Sequence, residues 1–449
     1  MNRRTIRNTN KLDIITRNDY ISIIYKLLMA QTLKFGNKVW AAKEESVLAY
    51  NDINNNYKPL PFFFKRTSTG TRVNKDGLIE TMGQDIARID YSDSADGVLL
   101  LEPTRTNILT YSELFTGWSL DDTTIVGNNT ISPDGTLNAV LLKGNTNSSR
   151  HHIQKSYSQQ NSNTSFSVFV KAKELKYVQI ATANDTNQYA NFDVSIGVIG
   201  TVGSTFSNAK IEDYGNGWYR LSAVATRSNG LYISLVSGLT ATWLESWTMS
   251  NNTDGLYIWG AQVEIASYPT SYIPTSGSTV TRAAETCNNS GNSEVFNDSE
   301  GVLFFDGSII TDSNIANEEY CISINDGTTT NRVEFLWFND GKFYTQVGNS
   351  GQEFISSDTL NNKILINWDN GTYYLYVNGF RLITDTYTSL SGLNSLDFKR
   401  QGSFTFKGKT KELGYYDTAL TDAELETLTS YRNWVSMVNE LNLNIIYNG

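Results

Sequence analysis

Thr164-Ser-Phe-Ser-Val-Phe-Val-Lys171 alternates with period two, so Phe166, Val168 and Val170 point one way, as in a strand with one face on a core. The same reading extends outward. Tyr177 to Thr182, Gln188 to Ser195, Trp218 to Ala225, Leu231 to Val236 and Gly255 to Glu264 are β-rich runs separated by Gly, Asn, Asp and Ser. Strands of this length at this spacing, with no amphipathic helix between them, predict a β-sandwich or jelly roll.

A second β block follows the polar string Asn288-Asn-Ser-Gly-Asn-Ser-Glu294. Its runs are Gly301 to Phe305, Tyr320 to Ile324, Val333 to Phe338, Lys342 to Val347, Lys363 to Trp368, Thr372 to Val377, Phe380 to Thr384 and Ser403 to Phe406. Asn339-Asp-Gly341 and Asn378-Gly379 are hairpin signals between them. Proline is absent after Pro274, which suits fully paired strands because proline removes a ladder donor. One helix is expected, Asp422 to Ser430, with Thr421 and Glu424 forming a capping box. A short amphipathic tail, Trp434 to Tyr447, follows it.

The chain has 449 residues, enough for two or three domains. Charged residues are only 18% and aromatic residues reach 12%, which excludes intrinsic disorder and a long coiled coil. The net charge of -10 disfavours a general nucleic-acid binder. That charge is uneven. Eight basic residues (Arg3, Arg4, Arg7, Lys11, Arg17, Lys26, Lys34, Lys38) face only Asp13 and Asp19 within residues 1–40, leaving that stretch at +6 and the remaining 409 residues at -16. A basic head on an acidic body predicts different partners for the two ends.

No apolar run approaches the ~18 residues of a membrane span, so membrane insertion is not expected. The start reads as a helix, not a signal peptide, because Asp13 and Asp19 precede the apolar stretch and Lys26 interrupts it. Ile21, Ile24, Tyr25 and Leu28 fall on one helical face, with Asp19 as N-cap. Asn51 to Lys65, with Pro59 and Pro61, then reads as a linker or extended arm. Cys287 and Cys321 have no partner spacing for a disulfide framework or a zinc site.

Several stretches carry a family likeness. Phe64-Lys-Arg-Thr-Ser-Thr-Gly-Thr-Arg-Val-Asn-Lys-Asp-Gly-Leu-Ile-Glu80, Ala87-Arg-Ile-Asp-Tyr91 and Leu99-Leu-Leu-Glu-Pro-Thr-Arg-Thr-Asn-Ile-Leu109 resemble the opening segment of bacteriophage structural proteins. Trp259-Gly-Ala-Gln-Val-Glu264, Tyr268-Pro-Thr-Ser-Tyr-Ile-Pro-Thr275 and Thr281-Arg-Ala-Ala284 resemble the segment that closes the same unit. In that family the two bracket a jelly roll similar to carbohydrate-binding modules. Tyr373-Tyr-Leu-Tyr-Val-Asn-Gly379 and Lys411-Glu-Leu-Gly-Tyr-Tyr-Asp-Thr-Ala-Leu-Thr-Asp-Ala-Glu-Leu425 look like a concanavalin A-like (laminin G-like) sandwich.

The expected fold is therefore all-β, with two sandwiches in tandem after an N-terminal helix and arm. Residues 1–57 form the attachment helix and arm, 58–105 an extended lead-in, 106–285 the jelly roll, 286–299 a linker, 300–431 the second sandwich and 432–449 a tail. The resemblance implies a virion protein, a head or tail fibre assembled in the host cytoplasm. Its partners would be capsid or tail proteins through the N-terminus, other copies of itself (a trimer by analogy with other fibres) and a host-surface glycan. Arg3, Arg4, Ile21, Ile24, Tyr25 and Leu28 are the expected attachment residues. Alternatives are a bacterial surface or secreted carbohydrate-binding module and a polysaccharide depolymerase; no repeating β-helix period supports the latter.

Sugar-binding sandwiches stack aromatic faces on pyranose C–H patches and hydrogen-bond hydroxyls with Asn, Asp and Gln. Trp118, Trp243 and Trp247 lie in loop-like surroundings and Trp337 and Tyr344 flank a hairpin, so these five are the candidate glycan contacts. Core packing is the competing role for each aromatic ring, and is the one expected of Trp218 and Trp259. The Trp337 to Tyr344 turn is also a place where Asp and Asn oxygens hold calcium in such sandwiches, though no EF-hand loop is present. His151 and His152 are the only histidines and point to opposite faces of any strand. No nucleophile elbow, P-loop or dinucleotide fingerprint occurs, no carboxylate pair stands out, and neither catalysis nor a cofactor is expected. Glu102, Arg105, Arg72 and Arg88 sit in apolar β surroundings, where charged groups pair with one another.

Overall fold

The computed structural model describes residues 31–51, 56–315, 319–338, 342–355, 362–400 and 404–440. Strands make up 52% of it and helices 3%, so the protein is all-β. Two compact units are present. One comprises Lys65–Glu285 with Thr311–Glu318; the other comprises the residues up to Phe64, Thr286–Ile310 and those from Glu319 onward.

The first unit is a two-sheet sandwich. One sheet orders its strands as Thr123–Thr130, Ala139–Gly144, Gly255–Glu264, Thr164–Lys171, Trp218–Ala225 and Phe206–Asp213. The other runs Ser119–Asp121, Ser149–Gln160, Ser228–Leu235, Tyr177–Ala181, Tyr189–Asp193 and Val198–Val202. Phe166, Val168 and Val170 meet Ile153, Val178, Ile180, Ile233 and Leu235 between the sheets. The period-two reading of this stretch is therefore right about which side chains form the core.

Its opposite face is not open to solvent. Phe169 lies with Ile79, Trp218, Trp259 and Tyr272 in a second buried cluster, and seven of the eight residues from Thr164 are buried. The lead-in segment supplies Ile79, and Thr71 Oγ1 donates to the Tyr272 carbonyl at 2.5 Å. Trp218 and Trp259 are core residues, as expected. Gly260 explains part of the Trp259-Gly-Ala-Gln motif: the register with Thr164–Lys171 shifts here and Gly260 has φ +62, a β-bulge at which a Cβ would lie 2.9 Å from the Phe169 ring.

A buried ion network ties the lead-in to the closing segment. Glu285 accepts from Arg66 Nη1 at 2.7 Å and from Arg88 Nη2 at 2.5 Å. Glu102 pairs with Arg88 at 2.8 Å and Arg282 at 2.9 Å, and accepts from Ser271 N–H and Oγ. The expectation that these charges pair among themselves holds for Glu102 and Arg88, and Arg72 pairs with Glu80 at 2.9 Å. Arg105 does otherwise: its partner is Asp312.

The second unit is also a sandwich. Its main sheet runs Phe380–Thr386, Thr372–Val377, Asn362–Asp369, Glu300–Ile309, Gly408–Tyr416, Leu33–Gly36, Tyr50–Asn51 and Lys58–Pro59. The facing sheet is Ser350–Ile355, Lys342–Val347, Arg332–Phe338, Glu319–Asn325 and Ser395–Asp397. Phe305 of the first sheet packs on Trp337 of the second at 5.5 Å. The helix Asp422–Thr429 covers the outer face through Leu425, and Glu424 accepts the Thr421 N–H at 2.9 Å as its box requires. The expected strand at Ser403 to Phe406 reduces, among the described residues, to an isolated bridge at Thr405.

Two boundaries differ from expectation. Leu33–Gly36 is not an arm: it pairs with Gly408–Tyr416, Leu33 opposite Tyr415 and Phe35 opposite Leu413. The expected linker 286–299 is likewise built in, with Thr286–Asn288 in a sheet beside Phe62–Lys65 and Ser290 bridged to Leu396. The two sandwiches are thus not simply in tandem, since the chain begins the second unit, builds the first and then returns. Turn-rich composition signals irregular local backbone, and cannot say whether a distant strand will pair with it.

Glu412 sits on the outer face of this sheet, accepting from Gln31 Nε2 at 2.9 Å. Burial pushes its carboxyl up to about 7. A carboxyl raised in the folded state stabilises most below its unfolded value near 4.3, and that contribution is lost as pH climbs through about 7. The stability of this unit is expected to decline between about pH 4 and 7, and Glu412→Gln to flatten the decline. A profile of melting temperature against pH identical for both proteins would refute this.

Candidate glycan-contact face

One sheet face of the first unit is left partly uncovered, the outward side of the sheet that contains Ser149–Gln160. On this strand His151 and His152 point opposite ways, as expected. His151 turns toward Asp122 and Trp247, its ring nitrogens 3.1 Å from their carbonyl oxygens. His152 lies outward beside Tyr232, with ring centroids 5.1 Å apart. The register sets Asp121 opposite His152, His152 opposite Ser234 and Ser234 opposite Gln179, a polar row across four strands. The next row carries Gln154 opposite Tyr232. Period two puts all of these on the side away from Ile153, Ile233 and Ile180.

The segment 239–247 is pinned across part of this face. Gln179 donates from Nε2 to the Thr242 carbonyl at 3.0 Å and accepts the Leu244 N–H at 2.8 Å. Asn191 Nδ2 donates to the Leu239 and Ala241 carbonyls. Trp243 is thereby fixed, its Nε1–H donating to the Thr182 carbonyl at 3.0 Å and its ring half-buried. The exposed Arg150 guanidinium lies over that ring, 5.1 Å from the centroid, a cation–π arrangement. Arg150 itself is placed by strand pairing with Ser246.

His152 is only 4% exposed, and its Nδ1 forms no hydrogen bond to any described residue; Asp121 Oδ2 stands 3.7 Å away. Burial lowers the imidazole's affinity for a proton by more than Asp121 raises it. The ring is therefore neutral at physiological pH. Burial pushes the neighbouring Tyr232 phenol up, with Arg150 opposing, so it stays a hydroxyl.

The five sequence candidates separate by burial. Trp243 lies on this face. Trp247 is half-buried against the core, donating from Nε1 to the Leu235 carbonyl at 3.1 Å. Trp118 is a correction: at 6% exposure it plugs the core beside Phe115 and donates to the Tyr111 carbonyl. Trp337 is a second correction, 2% exposed among Phe305, Phe335 and Phe343. Neither ring has a face free to stack on a sugar. Tyr344 is half-buried in the other unit, over Gly351 of the adjacent strand. Asn339 to Gly341 lie outside the described residues, as do Arg3, Arg4, Ile21, Ile24, Tyr25 and Leu28. Arg150, His152, Gln154 and Tyr232 were not anticipated. The signal was there in part, since a histidine pair on a strand must send one ring outward.

Among the described residues no group of three His, Cys, Asp or Glu side chains is placed to hold a metal ion. Cys287 and Cys321 are buried and not joined in a disulfide. No described helix is long and apolar enough to cross a membrane.

No protein-family model matches the chain. No curated protein matches it either. Among solved structures it is similar to the CBM40 of the Ruminococcus gnavus IT-sialidase bound to α2,3 sialyllactose, at 17% identity and a TM-score of 0.26, covering 32% of this chain and 94% of that one. A leech intramolecular trans-sialidase matches at 17% identity and TM-score 0.27, with 33% and 27% covered. Domain 4 of a GH43 extracellular arabinanase from Geobacillus stearothermophilus matches at 13% and 0.26, with 33% and 73% covered. Superpositions this partial leave the reading of the face to its own chemistry.

Proposed function

We propose that this chain is a non-enzymatic structural protein of a bacteriophage particle, a head or tail fibre whose jelly-roll unit binds glycan on the host surface. The observation that carries the glycan reading is the outward face around Trp243. There an indole fixed through its Nε1–H stands with Arg150, and Tyr232, Gln154 and His152 share the same sheet face. An aromatic plane with nearby hydrogen-bonding groups is what pyranose recognition requires, and fixing the ring beforehand removes an ordering cost on binding. The virion reading rests on the likeness of residues 64–109 and 259–284 to phage structural proteins. In it, the N-terminal residues contact capsid or tail proteins, and trimeric assembly multiplies weak sugar contacts by avidity.

Trp243→Ala is expected to weaken binding to a glycan array of host-surface oligosaccharides by about ten-fold or more. Trp118→Phe, a change inside the core, is expected to leave binding unaltered. Equal binding by the Trp243 variant and the parent protein would overturn the assignment of this face. Mass spectrometry of purified particles tests the other half; absence of the chain from them would overturn the virion reading.

A further inference from the structure

We infer that the glycan taken by this face carries a negative charge, a carboxylate- or sulfate-bearing sugar, and that Arg150 is the group that recognises it. The inference rests on the glycan reading above and names the class of sugar within it.

Apart from Arg227, which is exposed, the other arginines of the unit have partners within the protein. Arg66, Arg88 and Arg282 are matched by Glu285 and Glu102, Arg105 by Asp312 and Arg72 by Glu80. Arg220 donates to Ser167 Oγ and the Thr270 carbonyl. The Arg150 guanidinium differs from these: it forms no ion pair or hydrogen bond with any described residue and lies over the Trp243 ring. A guanidinium stacked on an indole keeps its donor edge free, with the fork geometry that suits a carboxylate or sulfate.

The cation is also held in place. Backbone pairing to Ser246 fixes its strand position, and Trp243 is anchored to Thr182, so both halves of the stack are set before a ligand arrives. The polar atoms beside it have unused capacity. His152 Nδ1 is buried without a hydrogen bond, and the Tyr232 hydroxyl makes none to a described residue. Asp121 is the carboxylate at the far end of the row, 3.7 Å from His152. An acidic sugar would place its charge on the Arg150 side and its hydroxyls toward His152 and Asp121. On a body carrying -16 outside residues 1–40, an unmatched cation is a local exception to a field that repels anions.

Titration calorimetry of the full chain tests this, with sialic-acid-terminated, glucuronate-terminated and sulfated oligosaccharides set against neutral counterparts of the same length. At least one acidic probe is expected to bind ten-fold or more tightly than its neutral counterpart, with affinity falling as salt rises. Which acidic probe binds separates carboxylate from sulfate recognition. Arg150→Ala is expected to remove that preference with the melting temperature unchanged, and Arg150→Lys to restore it in part. Equal affinity for acidic and neutral probes, with Arg150→Ala within two-fold of the parent, overturns the charge inference and leaves the sugar reading standing. No binding of any probe by the parent protein overturns both.

Discussion

Glu285→Ala is expected to destabilise the jelly-roll unit by about 3–5 kcal/mol, because removing one member of a buried ion network leaves its partners charged and unpaired. Glu285 is fully buried and accepts from Arg66, Arg88 and the Glu102 N–H. Without it two guanidinium groups, themselves inaccessible to solvent, lose their carboxylate. In a unit of this size the loss corresponds to a melting decrease of roughly 6–20 °C. Calorimetry showing a shift below about 2 °C would refute the network's role in fastening the lead-in to the closing segment.

Acid should act on the same network. Burial raises the Glu285 and Glu102 carboxyls, but the guanidinium groups outweigh it: Arg88 then Arg66 and Arg282 for Glu285, Arg282 then Arg88 for Glu102. Both are held below the ordinary carboxylate range. A carboxyl depressed in the folded state contributes stability above its unfolded value near 4.3, and that stability is lost as pH falls below it. The jelly-roll unit is thus expected to weaken toward acid, opposite in sign to the Glu412 effect in the other unit. The Glu285→Ala protein should show a shallower acid loss than the parent.

Phe35→Ala is expected to cost the second unit about 3–5 kcal/mol. The Phe35 ring is 1% exposed and packs on Phe62 at 4.7 Å, Trp40 at 5.3 Å and Phe398 at 5.9 Å. Its strand lies beside Gly408–Tyr416 through four register pairs. The substitution therefore empties a core position that joins residues separated by more than 350 positions in the chain. A melting decrease of roughly 6–20 °C in the transition of this unit is expected. If residues 31–51 were a detachable arm, the change would leave that transition where it was, so thermal unfolding separates the two descriptions. Particle attachment, in turn, is proposed for residues N-terminal to Gln31.

The strands that alternate cleanly or carry long apolar runs were legible in the sequence. Thr164–Lys171, Trp218–Ala225, Gly255–Glu264, Lys342–Val347 and Thr372–Val377 form where expected, because side chains of one face share one environment and leave a period of two. Thr123–Thr130, Val198–Val202 and Phe206–Asp213 were not legible, since these outer strands show few buried residues and little pattern. Of the candidate site only Trp243 was named in advance. Trp118 and Trp337 had equally suggestive neighbours, and burial alone separates the three.

By itself, the sequence determined that the protein is all-β, that it folds as two sandwiches, and that Phe166, Val168 and Val170 face a core. These follow from local periodicity and composition, which a linear chain carries residue by residue. Only the tertiary structure decided that Leu33–Gly36 completes the second sandwich, that Arg150 rests on Trp243, and which tryptophans are buried. Each of those depends on which distant strand supplies the neighbour. Pairing across hundreds of residues is selected by the fit of whole faces, and it leaves no mark in the spacing of either partner.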